Sequence, residues 1–240
     1  MFTTRAGGVS AAPYDSMNLG DHVGDLPAKV AANRAVLRKA TGSRAVFLQQ
    51  VHGKEVLTLD GATDDGRQAD ACVTKEAGVA CTIMVADCLP VLLASEDGTV
   101  VAGAHAGWRG LAGQDGQGVL ETVHAVMEAD ARTLAWLGPC IGPSAFEVGA
   151  EVKAAFEAFH PEAFRLFVPL GPGKYLADLP GLARLRLLAL GLNRIYGNDG
   201  SDAWCTVRNP SRFFSHRRDA GPSGNGFGTT GRMAACIWRV

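Results

Sequence analysis

The chain carries no excess of charge of either sign. Its 23 Lys and Arg stand against 24 Asp and Glu, a formal net charge of −1 at pH 7. The basic residues are spread along the sequence, so there is no stripe with which a nucleic-acid binder displaces counterions from phosphates. Nucleic acid is excluded as the expected partner, and a small molecule takes its place. No apolar segment of the kind found in a signal peptide follows Met1-Phe2-Thr3-Thr4-Arg5-Ala6-Gly7-Gly8, so a cytoplasmic protein is expected. No membrane span is expected either. The longest apolar stretch, Ala77 to Ala94, is interrupted by Asp87 and broken for helix by Pro90, and it reads as two buried strands around a turn. There is no repeat of fixed period and no low-complexity linker, which points to one domain over residues 1–240, as a monomer or weak homo-oligomer.

What is present is apolar mass and cysteine. Hydrophobic residues make up 47% of the chain and charged residues 20%, enough for a sizeable core. Without a secretory signal the six cysteines are not read as three disulfides, and most are expected as small buried apolar residues. Cys88 and Cys140 stand in more unusual company.

Periodicity predicts a mixed α and β chain. Val30–Lys39 reads as a short amphipathic helix. Strands are expected at Ala45–Gln50 and Glu55–Leu59, and then at Gly78–Val85, Pro90–Ala94 and Thr99–His105. The last three lack clean alternation, as strands covered on both faces do. A helix striped by Leu120, Val123, Val126 and Met127 should follow the glycines at 110, 113, 116 and 118. Thr133–Leu137 is a further strand, and Gly149–Phe159 and Leu182–Leu192 are helices. Ala203–Val207 and Thr230–Trp238 are late strands. Ala220–Gly228 is a Gly/Pro/Ser/Asn loop.

Three segments place a His or Cys where a strand gives way to a turn. They are Gln49-Gln50-Val51-His52-Gly53, Ala86-Asp87-Cys88-Leu89-Pro90 and His105-Ala106-Gly107-Trp108-Arg109-Gly110. Adjacent strand ends can bring such side chains together. Two imidazoles and a thiolate suit zinc, with a fourth position left for water or substrate. Each residue also has a commonplace alternative. A strand-end His is usually a hydrogen-bonded surface residue and a buried Cys is usually inert packing. The three make no compact signature such as His-Glu-x-x-His.

The three segments resemble the signature segments of the laccase-domain purine nucleoside phosphorylase family, whose members were first labelled multicopper polyphenol oxidases and include peptidoglycan editing factors. Thr4-Arg5-Ala6-Gly7-Gly8-Val9-Ser10, Asn18-Leu19-Gly20 and His22-Val23-Gly24-Asp25 are similar to its N-terminal part. Gly138-Pro139-Cys140-Ile141-Gly142-Pro143 with Glu147-Val148-Gly149 is similar to its middle. Phe213-Phe214-Ser215-His216-Arg217-Arg218-Asp219 and Thr230-Gly231-Arg232-Met233 are similar to its end. The resemblance spans the chain in order. It implies an α/β (α+β) fold, a single-domain four-layer α/β/β/α sandwich with mixed sheets similar to bacterial Cys–His deamidase toxins. It also implies one zinc per chain held by His52, Cys88 and His105, with copper the less favoured metal. The implied activities are phosphorolysis of adenosine, inosine and methylthioadenosine, and deamination of adenosine. The chain departs from the family pattern at Phe146, where Tyr is usual, and at Ala183, where Asn is frequent. About four extra residues lie between Gly110 and Val119, and the Ala220–Gly228 loop looks longer than usual.

Roles for neighbouring residues follow from their chemistry. Arg5 and Arg109, in Gly-rich turns, suit bidentate capture of phosphate or ribose oxygens, against the alternative of surface ion pairs. Asn18 suits a substrate hydrogen bond or a backbone cap. Asp87 suits orientation of a ligand His or proton transfer, or simply turn formation. Gln50 suits contact with a base, or packing. Trp108 reads as core, and His216, Arg217 and Arg218 read as a polar rim. A competing mechanism makes Cys88 the nucleophile and His105 the base of a metal-free amidohydrolase acting in peptidoglycan precursor editing. A copper polyphenol oxidase ranks last, because one Cys and two His cannot house several coppers.

Overall fold

Val79-Ala80-Cys81-Thr82-Ile83-Met84-Val85 is buried at every position, so this strand is covered on both faces. Its odd positions Val79, Cys81, Ile83 and Val85 belong to one apolar cluster, while Met84 belongs to another on the opposite face. The two-residue period of a strand turns one apolar run into the shared wall of two cores.

The computed structural model describes residues 1–221 and 224–240. Its first elements are α1 (Pro27–Thr41), β1 (Arg44–Phe47), β2 (Val56–Leu59), β3 (Ala71–Thr74), β4 (Val79–Val85), β5 (Leu89–Ala94) and β6 (Val101–Ala106). Next come α2 (Trp108–Ala112), α3 (Val119–Met127), β7 (Leu134–Leu137), β8 (Glu147–Gly149) and α4 (Ala150–Glu157). The chain then forms β9 (Phe167–Gly171), β10 (Lys174–Ala177), α5 (Leu179–Ala189), β11 (Arg194–Gly197), α6 (His216–Asp219) and β12 (Met233–Trp238). A six-stranded mixed sheet runs β11-β7-β5-β6-β3-β2, facing a three-stranded sheet β1-β4-β12, and β8-β10-β9 forms a small third sheet. Adding a Cβ to Gly103 of β6 would place it 2.9 Å from Cγ1 of Ile83 in β4, so the two main sheets approach closely there.

Outside the large sheet, Leu120, Val123, Val152, Phe156, Leu182 and Leu187 of α3, α4 and α5 cover Val73, Val91, Leu93 and Ala104. Outside the smaller sheet, Leu37 of α1 joins Phe47, Met84, Ala234 and Cys236. The layers therefore run helix, sheet, sheet, helix, the expected sandwich. Arg186 of α5, 1% exposed, ties the outer layer together. Its guanidinium pairs with Glu121 of α3 at 2.8 Å and donates to the carbonyls of Ala112 and Gly116. The segment after Gly110 is thus anchored to α5 through Arg186 and to α3 through Glu121.

Several elements differ from expectation. Ala203–Val207 is no strand: Asp202–Trp204 is a 3-10 turn, and Cys205 makes a single bridge to Cys140. β3, the β9–β10 hairpin and β11 were not expected. β3 is short and buried without alternation, and β9 is mostly exposed. Val126, expected on the apolar stripe of α3, is 45% exposed. Residues 222 and 223 of the expected 220–228 loop lie outside the described residues. All six cysteines are free thiols. Among the described residues no helix is long and apolar enough to cross a membrane.

Candidate metal centre

His52 sits in a turn between β1 and β2 at φ 61°, a left-handed conformation that non-glycine residues rarely adopt. The conformation is held by one carboxylate. The amides of Val51, His52 and Gly53 all donate to Asp70, at 3.1, 2.8 and 2.7 Å. Asp70 is fully buried at the head of β3, and its Oδ1 also lies 2.8 Å from Nδ1 of His105 at the end of β6. A carboxylate oxygen only accepts, so Nδ1 of His105 carries a proton, which leaves Nε2 as the nitrogen able to bind a metal. One buried acid thereby shapes the turn of one imidazole and sets the tautomer of another.

Cys88 lies at the corner between β4 and β5, behind Asp87 at φ 91°. Three bonds hold that strained residue. Thr206 Oγ1 donates to Asp87 Oδ1 and the Arg217 amide to Oδ2, both at 2.6 Å, and the Ile141 amide donates to the Asp87 carbonyl at 2.8 Å. Cys88 Sγ lies 3.6 Å from Nε2 of His52, and the His52 and His105 rings meet edge-on at 4.7 Å between centroids.

The potential ligand atoms of His52, Cys88 and His105 all lie within 4.8 Å of one another. A tetrahedral zinc with bonds of about 2.0–2.3 Å holds its ligands about 3.3–3.8 Å apart, a separation these side chains reach with small shifts. Two glycines keep the space open. A Cβ on Gly107 would meet Cδ2 of His52 at 2.8 Å and Sγ of Cys88 at 3.0 Å, and one on Gly110 would meet the Gly53 carbonyl at 2.6 Å. The residues present therefore fit a single metal ion. Among the described residues this is the one such cluster, which does not fit the several coppers of a multicopper oxidase.

Without a metal, the three groups polarise one another. Burial pushes the Cys88 thiol upward, but the charge of His105 and hydrogen bonds from His105 and His52 outweigh it and bring the thiol to about 6. Burial pushes His105 down, but the Cys88 thiolate and Asp70 outweigh it and raise the imidazole to about 9. Burial likewise pushes Asp70 up, and its bonds to His105 and the turn amides hold it below the ordinary carboxylate value.

The cluster lines a cleft of about 480 Å³, within the range of about 300–1,000 Å³ typical of small-molecule sites. Trp108, Ile141, Phe146 and Leu179 supply apolar wall, while Arg109, Arg217, Arg232, His22 and His216 supply cationic and polar groups.

The structure brings some of the expected substrate contacts to this cleft. Arg109 lines it, exposed, with its guanidinium 4.5 Å over the Trp108 ring. Gln50 lines it too, but both ends of its amide are bonded at 2.8 Å to the Met84 backbone. Asp87 faces it while holding Thr206 and Arg217, and the carboxylate that orients a ligand His is Asp70 instead. Two residues stand elsewhere. Arg5 lines a separate hollow, its guanidinium bonded to Asp15 and to the Pro210 carbonyl and lying over Phe214. Asn18 is fully buried, and its Oδ1 accepts from the amides of Gly20 and Arg232 at 2.9 Å. Asp70 was missed because β3 was missed. The available signal was an acid heading the apolar run Ala71-Cys72-Val73. Arg232 and His22 lay in family-like segments but received no role.

Comparison with known proteins places the chain among relatives. A family model described as multi-copper polyphenol oxidoreductase laccase matches residues 1–240. The purine nucleoside phosphorylase YfiH of Escherichia coli strain K12 is 48% identical over 241 residues, covering 99% of this chain and 92% of that protein. The purine nucleoside phosphorylase PA4543 of Pseudomonas aeruginosa is 48% identical over 238 residues, covering 98% and 91%. Among solved structures, Neisseria meningitidis protein NMB0706 matches with a TM-score of 0.90 at 46% identity, covering 99% of this chain and 92% of that one. YlmD from Geobacillus stearothermophilus matches with a TM-score of 0.85 at 34% identity, covering 99% and 90%.

Proposed function

The chain belongs to the multi-copper polyphenol oxidoreductase laccase family, and from that membership, its relatives and the geometry of the cleft we propose that it is a zinc-dependent purine nucleoside phosphorylase. The observation that carries this reading is the convergence of His52, Cys88 and His105 within 4.8 Å at a nucleoside-sized cleft, together with 48% identity to proteins named for that activity. The substrates proposed are adenosine, inosine and methylthioadenosine. A phosphate oxygen bonds to C1′ of the ribose, the bond from C1′ to the purine breaks, its electron pair leaves with the base, and the base takes up a proton. Deamination of adenosine by water, releasing ammonia, is proposed as a second activity of the same cleft.

His52, Cys88 and His105 would hold the metal, which when bound supplies Lewis-acid polarisation and acidifies water. The chain's own residues do the rest. Asp70 fixes the tautomer of His105 and the turn carrying His52. The apolar wall of Trp108, Ile141, Phe146 and Leu179 suits a purine face, and Phe146 offers it no hydroxyl. Asp87 fixes α6, and with it His216 and Arg217 at the rim.

One arrangement favours a second reading. Cys88, His105 and Asp70 form a thiol, imidazole and carboxylate in series, the order used by thiol amidohydrolases. This reading gives peptidoglycan precursor editing without a metal.

The test is base release from inosine and adenosine with phosphate varied, combined with elemental analysis. About one zinc per chain and phosphate-dependent release, both abolished in Cys88→Ala and His105→Ala variants that remain folded, are expected. Release that ignores phosphate would overturn the phosphorylase proposal, and activity confined to amide substrates in metal-free protein would overturn it in favour of the second reading.

A further inference from the structure

Of the two arginines expected to capture an anion, Arg5 is occupied away from the cleft, so the group that meets a phosphate is sought among the residues that line it. Three arginines line it. Arg109 is exposed and lies over Trp108. Arg217 is exposed and donates Nη2 to the Glu147 carbonyl. Arg232 differs from both. It is half-buried on the approach to β12, and among the described residues no carboxylate pairs with it. Its side chain donates only from Nη1, to the carbonyls of Thr230 and Gly231. Nε and Nη2 make no hydrogen bond to the described residues, although the side chain lines the cleft.

The molecule holds this arginine in place deliberately. Asn18 Oδ1 accepts the Arg232 amide at 2.9 Å, and the Leu19 amide donates to the Arg232 carbonyl at 3.0 Å. Gly20 gives the side chain room: a Cβ there would lie 2.7 Å from Cγ of Arg232. The Asn18-Leu19-Gly20 turn therefore acts as a seat for Arg232. His22 follows in the same segment and lines the cleft beside it. A guanidinium taken partly out of water, without an acid to pair with, is costly unless an anion completes it. Its planar fork matches the oxygens of a phosphate.

We propose that Arg232, seated on the Asn18-Leu19-Gly20 turn with His22 beside it, binds the phosphate co-substrate. This rests on the phosphorylase reading above and adds to it the residue that meets the inorganic anion. Burial lowers the pKa of Arg232, and the negative charges of Cys88 and Asp87 only partly offset it, so the competing role is that of a counterion to the metal centre. The two roles separate in kinetics.

The experiment measures base release with phosphate and inosine varied independently, in the wild type, Arg232→Gln and Arg232→Lys, with exposed Arg132→Gln as control. Metal content is measured in each. KM for phosphate should rise about tenfold or more in Arg232→Gln and by less in Arg232→Lys, with KM for inosine and metal content nearly unchanged. The substitutions leave the backbone bonds to Asn18 and Leu19 intact, and Arg232→Lys keeps the charge, so one folded variant suffices. Phosphate should also raise the Tm of the wild type and not of Arg232→Gln. A phosphate KM within twofold of wild type, a loss confined to inosine, or loss of metal would overturn the assignment. If the wild type releases base without phosphate, the phosphorylase reading fails. The Tm comparison then decides Arg232 alone: a phosphate shift abolished by Arg232→Gln sustains the anion site, and an equal shift or none overturns it.

Discussion

Replacing Asp70 by Asn removes one acceptor from the most heavily bonded carboxylate at the centre. Asp70 Oδ1 accepts from the His52 amide and His105 Nδ1, and Oδ2 from the amides of Val51 and Gly53. Asn keeps one oxygen and turns the other corner into an NH₂ donor. With its oxygen in the Oδ1 place, the NH₂ confronts the Val51 and Gly53 amides, and two bonds become donor-to-donor contacts. Flipped, the NH₂ confronts the His52 amide and meets His105 Nδ1, which must then accept and moves the imidazole proton to Nε2, the atom that would bind the metal. The first arrangement loses two bonds to a charged group and the second loses one and reverses another, each lost bond being worth about 1.5–3 kcal/mol, so the cost is about 1.5–6 kcal/mol. That is a large part of the roughly 5–15 kcal/mol total of a native protein. Metal affinity should fall about 10–100-fold, as it does when the partner of a ligand His is lost. Urea unfolding of chelator-treated protein measures the first effect and competition with a chromophoric chelator the second. The folded pKa of Asp70 is depressed, so its stabilisation is present above the ordinary carboxylate pKa and is lost as pH falls through the folded value. The Asn variant should lose that acid dependence. A stability within about 1 kcal/mol of wild type and an unchanged metal affinity would refute the argument.

Further outcomes follow from the same geometry. Gly107→Ala should abolish metal binding without unfolding the chain, because the added methyl meets His52 and Cys88 at 2.8 and 3.0 Å; full metal content in the variant, measured by elemental analysis, would contradict this. In metal-stripped protein, alkylation of Cys88 by iodoacetamide should rise through a midpoint near 6, below the ordinary thiol value of about 8.5. The stabilisation from the Cys88–His105 pair should be lost as pH falls through about 6 or rises through about 9, the first because the thiol pKa is depressed and the second because the imidazole pKa is raised. Loading with zinc should block alkylation, and a midpoint above 8 would remove the thiolate pair.

Much of this was legible in the sequence. Unbroken burial of Val79–Val85 and Val101–Ala106 follows from apolar runs without alternation, which strands covered on both faces require. His52, Cys88 and His105 each fell where an expected strand gave way to a turn, and their residue types suited a metal. Burial and local pattern are properties of neighbours along the chain, and these the sequence carries. It also carried the existence of α1, although the helix runs beyond the expected Val30–Lys39 at both ends, from Pro27 in its first turn to Thr41, where Gly42 at φ 65° closes it.

Partnership across the fold was decided only by the tertiary structure. Arg5 stood in a glycine-rich turn suited to an anion, yet Asp15 nearby and the Pro210 carbonyl 205 residues away occupy its guanidinium. Asn18 looked like a substrate contact, yet it seats an arginine 214 residues away. Asp87 neighbours Cys88 in sequence, but the acid that reaches His105 is Asp70, 35 residues before it and brought beside it by pairing of β3 with β6. Hydrogen bonds act over about 3 Å in space, and only the packing of two sheets sets which donors and acceptors fall within that distance.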